Sequence, residues 1–150
     1  SSAPAPVRCF LIMQKYLESS GSSVHIIPEK SMSENGLNYE SVGRELAMKI
    51  LKQYQPSSAA VFYNTARALG AMKVFQRLGK NIPQDIAVAG FDNIFPARLV
   101  EPELTVTDAR YIEAAHRAVD LVLSPHERKE TLSIAPLLCC GRSVGHLDKK

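Results

Sequence analysis

The chain has little of what marks a specialised class of protein. Its three cysteines, Cys9, Cys139 and Cys140, are too few for a disulfide framework. The adjacent pair would point to opposite faces of a strand, so reduced thiols in a cytoplasmic protein are expected. No apolar run approaches the ~20 residues of a spanning helix, and no basic-then-apolar leader opens the chain. Lys and Arg number 18 against 15 Asp and Glu, a net charge of +3 that is too mild to indicate nucleic-acid binding by charge alone. The glycine patterns of phosphate and dinucleotide cradles are missing, as is the Gly-x-Ser-x-Gly nucleophile elbow. No two of the four histidines form a helical i, i+4 pair, and Cys139-Cys140 with His146 lacks zinc-site spacing. Neither a metal nor a cofactor is expected, and no catalytic constellation announces itself.

What remains is ordinary globular composition, with 45% hydrophobic and 22% charged residues. A chain of 150 residues buries about 68–70% of its unfolded surface, enough for one domain with a real core. Ser1-Ser2-Ala3-Pro4-Ala5-Pro6 reads as linker, so residues 1–8 are expected as a flexible leader and 9–150 as the folded unit.

Patterning predicts alternating elements. Phe10, Met13 and Leu17 recur at helical spacing, with Gly21 as a stop. Val24-His25-Ile26-Ile27 is β-branched and predicts a strand, and the polar 28–38 stretch predicts a loop. Val42, Leu46, Ala47, Ile50, Leu51 and Tyr54 form an amphipathic stripe before Pro56. Ser58 to Tyr63 is apolar after its serine, as in a strand covered on both faces. Asn64-Thr65 offers N-cap chemistry to a helix carrying Ala68, Ala71, Met72, Phe75 and Leu78, ended by Gly79. After the turn at Ile82-Pro83-Gln84-Asp85, residues 86–91 predict a second apolar strand running into Asp92-Asn93. Leu104 to Thr107 is extended. Asp108 can cap a helix whose expected buried stripe is Tyr111, Ala115, Ala118, Val119 and Val122, closed by Pro125. Thr131 to Val144 predicts one or two strands interrupted at Pro136. The order implies an α/β fold: a mostly parallel sheet with helices on both faces.

In open sheets of this kind ligands bind beyond the carboxyl ends of the strands. Two such ends carry polar groups, Asn64 after Tyr63 and Asp92 after Phe91. A carboxamide donates and accepts while a carboxylate accepts, a pair suited to a polyhydroxylated or amide-rich small molecule. The plainer alternatives are a helix cap for Asn64 and a turn for Asp92, with Tyr63 and Phe91 as core side chains.

Residues 58–107 resemble the regulatory domain of the lactose- and purine-repressor family (LacI/GalR). The matching residues are Ala60-Val61-Phe62-Tyr63-Asn64-Thr65 and Ala68-Leu69-Gly70-Ala71-Met72. The match continues through Gly79, residues 82–93, Ala97-Arg98 and Pro102-Glu103-Leu104-Thr105, and extends loosely from Gly36 to about Gly145. The resemblance implies the second lobe of a periplasmic-binding-protein-like (type I) fold. The first lobe and a DNA-binding headpiece have no counterpart here, and 104–145 would include crossover segments.

By the same resemblance Asn64 and Asp92 would contact an effector of the sugar or purine-like class. Tyr39 would stand near the place of a stacking aromatic, and Arg8 one residue from the place of an effector-binding arginine. Departures are Thr65, where the family usually has Asp, and Ile12, where it has Gly. A homodimer interface would involve Ala68, Met72, Phe95 and Leu99, the last two having local packing under the loop as their plainer use. The expected function is effector sensing for a cytoplasmic transcriptional regulator that is not an enzyme and touches DNA only through the headpiece. The alternatives are a solute-binding protein of the same fold, or an α/β enzyme with Asp92 as its acid or base. If the helix at 109–123 belongs to a missing lobe, its apolar stripe would be exposed and the chain would self-associate.

Overall fold

The computed structural model describes residues 5–27, 39–56, 58–92, 94–123 and 132–145. Among the described residues nine elements follow in chain order: α1 (Ala5–Ser19), α2 (Tyr39–Gln53), β1 (Ala59–Phe62), α3 (Thr65–Arg77), β2 (Ala87–Phe91), α4 (Ile94–Ala97), β3 (Thr105–Asp108), α5 (Tyr111–Leu123) and β4 (Leu137–Cys139). The sheet has the order β1-β2-β3-β4, the first three strands parallel and β4 antiparallel on β3. This is the mixed α/β architecture expected from the alternating pattern.

The register sets the two faces. Phe62, Gly90, Val106 and Cys139 lie side by side across the sheet, and Val61, Ala89 and Thr105 form the neighbouring row. The first row faces α3. A Cβ on Gly90 would lie 3.3 Å from the Cβ of Ala68, so the missing side chain lets the helix start close to the strand. Phe75, Ala68, Ala71 and Met72 of α3 are buried with Phe62, Val88 and Val106 in one core cluster. On the other side α1 brings the Phe10 ring to within 5.8 Å of Phe91, edge to face, and 6.5 Å of Tyr63.

Helices α2 and α3 cross at two glycines. A Cβ on Gly43 would stand 2.0 Å from the Arg67 carbonyl oxygen, and one on Gly70 would stand 2.1 Å from that of Glu40. Backbone therefore lies against backbone, and Ala47 and Ala71 are fully buried beside the crossing. At its edge Lys73 pairs with Glu40 at 2.8 Å. That partner, with the positive fields of Arg44 and Arg77, holds the Glu40 carboxyl below its ordinary range. Its small contribution is present above the ordinary carboxylate range and fades as pH falls through the lowered value. Beneath the sheet, buried Ser143 donates to the Val88 carbonyl at 2.6 Å and accepts from the Thr105 amide at 2.8 Å. It seals a gap that no strand pairing fills, and nothing in its sequence context marks it.

Several expectations need correction. Val24–Ile27 is not a strand: Ile27 packs on the core and His25 lies 5.1 Å from the Tyr54 ring, without a ladder. β-Branching reports a half-buried extended setting, and pairing is a separate matter. β1 is covered on one face only, since Ala60 and Phe62 are buried while Ala59 and Val61, on an edge strand, are exposed. The stripe of α5, which periodicity alone placed in a core and the resemblance placed on an exposed face, is exposed: no residue of this helix is buried, and Val122 is 83% exposed. Between 132 and 145 only Leu137–Cys139 is strand. Helix α1 opens at Ala5, inside the stretch expected as leader. The expected loop at 28–38 lies outside the described residues.

Gly43→Ala is expected to destabilise the protein by about 1–3 kcal/mol, because the added methyl meets an immovable helix carbonyl. That outweighs the ~1 kcal/mol of helix propensity that alanine would contribute. Urea denaturation monitored by far-ultraviolet circular dichroism measures the change; equal or greater stability would show that the crossing tolerates a side chain.

Candidate functional site

The site is built where β1 and β2 end. Asn64 leaves β1 in an extended conformation, φ −148° and ψ 166°, and caps α3: its side-chain oxygen accepts from the Arg67 amide at 3.0 Å. The plainer use foreseen for Asn64 is thus realised, and the capping bond holds the side chain at the strand end. Asp92 leaves β2 with φ 63°, a left-handed conformation that short polar residues tolerate. The two ends are joined by Thr65, whose buried hydroxyl reaches the Phe91 carbonyl at 3.2 Å and the Asp92 carbonyl more closely still. Thr65 therefore holds the neighbouring strand end by its own hydroxyl.

Around this pair sit aromatic groups from four elements. Tyr63 is 44% exposed, against the expectation of a core side chain, because it lies past the last paired residue of an edge strand. Phe91 is half-buried under Phe10. Tyr39, the first residue of α2, lies with its ring centroid 4.6 Å from the buried Arg67 guanidinium, and Tyr63 lies 5.4 Å from the same group. Stacked between two rings, the cation links the start of α2 to the end of β1. Tyr111, at the start of α5, donates its hydroxyl to Asp92 Oδ1 at 3.1 Å. The Asp92 charge first, then this hydrogen bond, partial burial and Tyr63 raise the Tyr111 phenol above its ordinary value. The stability gained from the neutral phenol is complete below the ordinary tyrosine range and is lost as pH rises through the raised value.

Of the residues singled out in the sequence, Asn64, Asp92 and Tyr39 come together, all half-buried. The side chain of Arg8 lies outside the described residues. Arg67, Thr65, Tyr111 and Phe10 were not foreseen as part of this end of the sheet. Arg67 has one legible signal, since it stands three residues after a helix-capping Asn and so in the turn nearest the strand end. Among the described residues no group of three His, Cys, Asp or Glu side chains could hold a metal ion.

The residues expected at a dimer interface divide. Ala68 and Met72 are 0% and 2% exposed, so they are corrected to core positions: the helical period turns them, with Phe75, toward the sheet. Phe95 and Leu99 are 71% and 69% exposed, so packing beneath their loop is also ruled out. A separate cleft lies between the start of α5 and residues 132–135, lined by Arg110, Glu113, Arg117 and Ser133. Glu113 pairs with both arginines there.

Comparison with known proteins places this geometry. A family model described as a periplasmic binding protein-like domain matches residues 7–144. The chain is 24% identical over 132 residues to the HTH-type transcriptional repressor CytR of Escherichia coli (strain K12), covering 88% of this chain and 38% of that protein. It is 31% identical over 123 residues to the HTH-type transcriptional repressor PurR of Erwinia tasmaniensis, covering 79% of this chain and 36% of that protein. The chain thus spans between 36% and 38% of the length of these curated relatives. Among solved structures, a LacI family transcriptional regulator from Arthrobacter sp. FB24 in complex with lactose superposes with a TM-score of 0.76. Its identity is 22%, over 97% of this chain and 54% of that one. A sugar-binding transcriptional regulator (LacI family) from Escherichia coli complexed with phosphate gives 0.76 at 21% identity, over 95% of this chain and 51% of that one.

Thr65→Val keeps the shape and removes the hydroxyl, leaving two strand-end carbonyls short of a donor. A loss of about 1–3 kcal/mol is expected, read by chemical denaturation, with the amide resonances of residues 91 and 92 shifting in NMR spectra. Unchanged stability and unmoved resonances would show that Thr65 does not join the two ends.

Proposed function

The chain belongs to the periplasmic binding protein-like domain family, and from that premise we propose that it is the effector-sensing part of a transcriptional regulator. Its relatives are transcriptional repressors, and DNA contact is assigned to a segment outside these 150 residues. The observation that carries the proposal is the joining of Asn64 and Asp92 at adjacent strand ends by the Thr65 hydroxyl, with Tyr39 and Tyr63 on the Arg67 guanidinium at the same end of α3. An acceptor carboxylate, a carboxamide and flat rings match a sugar or a nucleoside. Hydroxyls donate to Asp92, and the apolar face of a ring lies on an aromatic surface. From the resemblance alone, Arg8 is assigned to the effector's acceptor groups.

No step of this scheme makes or breaks a covalent bond, so the proposed protein is a sensor and not an enzyme, acting in the cytoplasm. Binding would act by differential affinity for two arrangements of the regulator, and the effect is limited by that difference. Phe95 and Leu99, exposed together on and just after the single turn of α4, are the apolar contact proposed for a homodimer.

Two measurements test this. In a thermal-shift panel of ribose, lactose and adenosine, one compound at a hundredfold excess over its Kd should raise the Tm by about 5 °C or more. Asp92→Ala should abolish the shift. Absence of any shift, or a shift indifferent to Asp92→Ala, contradicts the proposal. By light scattering the wild-type protein should be a dimer and Phe95→Asp a monomer; an unchanged mass for Phe95→Asp places the interface elsewhere.

A further inference from the structure

Arg67 is 3% exposed, a charged side chain buried in the first turn of α3. Two backbone contacts fix its root. Its amide donates to Asn64 Oδ1 at 3.0 Å, and its carbonyl oxygen lies against Gly43, where a Cβ would stand 2.0 Å away. The guanidinium lies over the Tyr39 ring, 4.6 Å from its centroid, and over the Tyr63 ring at 5.4 Å. Tyr39 opens α2, and its neighbour Glu40 meets Gly70 at the same crossing. Tyr39 and Arg67 are therefore both rooted where backbone meets backbone.

Tyr63 is placed differently. It follows Phe62, the last residue of β1 in register with β2, so the ladder stops short of it. Its ring lies on Arg67 and stands 6.5 Å from the Phe10 ring, which meets Phe91 edge to face at 5.8 Å. Its phenol is near enough to Tyr111, the donor to Asp92 Oδ1, to help raise that group above its ordinary value. The Tyr63 ring thus belongs to the same end of the sheet as Asn64 and Asp92. A guanidinium suits the support of such a ring. It is planar, always charged and weakly hydrated, so it stacks on aromatic faces when buried. An ammonium is a compact, strongly hydrated point charge and sets no plane.

Resting on the sensing role of this site, we propose that Arg67 is a positioning residue: its guanidinium sets the plane of the Tyr63 ring and so governs affinity for ligands that carry a flat aromatic ring. Tyr63 keeps 44% of its surface exposed, and that open part is offered to the ligand ring, which stacks there offset. Hydroxyls of the same ligand are left to Asp92 and Asn64, whose placement comes from the Thr65 hydroxyl and the helix cap, not from the Arg67 side chain. Disturbing the guanidinium therefore weakens a nucleoside and spares a free sugar.

The experiment titrates wild type, Arg67→Met and Arg67→Lys with adenosine and with ribose by calorimetry, alongside spectra of protein labelled with ε-13C tyrosine. Of the five tyrosine resonances, the one that Tyr63→Phe removes belongs to Tyr63. That resonance should move in both Arg67 variants, while those of Tyr16 and Tyr54 stay. Adenosine should bind both variants roughly tenfold more weakly, part of what stacking a base on an aromatic ring is worth, and ribose should bind them as it binds wild type. Arg67→Lys keeps the charge, so the same loss there assigns the effect to the plane; it also carries the test where Arg67→Met does not fold. Wild-type adenosine affinity in either variant overturns the positioning role and leaves the sensing role intact. Equal losses for adenosine and ribose assign Arg67 to general packing and overturn it as well. Failure of adenosine to bind the wild-type protein also overturns the positioning role, and the other compounds of the thermal-shift panel then decide the sensing role separately.

Discussion

One buried hydroxyl organises the end of the sheet where β1 and β2 stop. Parallel strands are paired along their length, but their ends are not, and each end is free to diverge into its own loop. Thr65 prevents this by reaching from the first turn of α3 to the carbonyls of Phe91 and Asp92. The helix is in turn fixed by the Asn64 cap and by its backbone-to-backbone crossing with α2 at Gly43 and Gly70. Asn64, Asp92, Tyr39 and Tyr63 thus share one rigid support, as a binding constellation requires. Removing the glycines would separate the helices, and removing the hydroxyl would release the strand end; either change would act on the site from outside it.

Much of this was legible in the residues. The apolar strands 59–62 and 87–91 and the intervening helix follow from continuous and 3.6-residue patterning, which also put Asn64 and Asp92 at the strand ends. The resemblance to LacI-type regulators agrees with the relatives found. What was not legible has a common physical cause. Patterning says that a residue is apolar; it does not say which neighbour covers it. Hence the stripe of α5, buried by its period and exposed by the resemblance, is bare, and Ala68 and Met72, read both on the apolar stripe of α3 and at a dimer interface, lie in the core. Long-range polar ties such as Ser143 to Val88, or Tyr111 to Asp92, join residues far apart in the chain and leave no periodic trace.

Helix α5 and the short strand β4 bury none of their residues. Leu137 and Leu138 are both exposed on that strand, as are Ile112 and Val122 on the helix. The covered half, α2–α3 on the sheet, is where stability resides. The uncovered half is connected to it through few contacts, among them the β3–β4 ladder and the Tyr111 hydroxyl. Regions with few buried apolar contacts open at low free-energy cost.

The central claim is that the joined ends of β1 and β2 form the wall on which a small molecule is recognised. Amide chemical-shift mapping during titration with ribose or adenosine tests it most directly. The account predicts that the largest shifts fall on residues 64, 65, 91, 92 and 111. Shifts centred instead on Arg110, Arg117 and Ser133, in the cleft beside α5, or no shifts for any sugar or nucleoside, would contradict it.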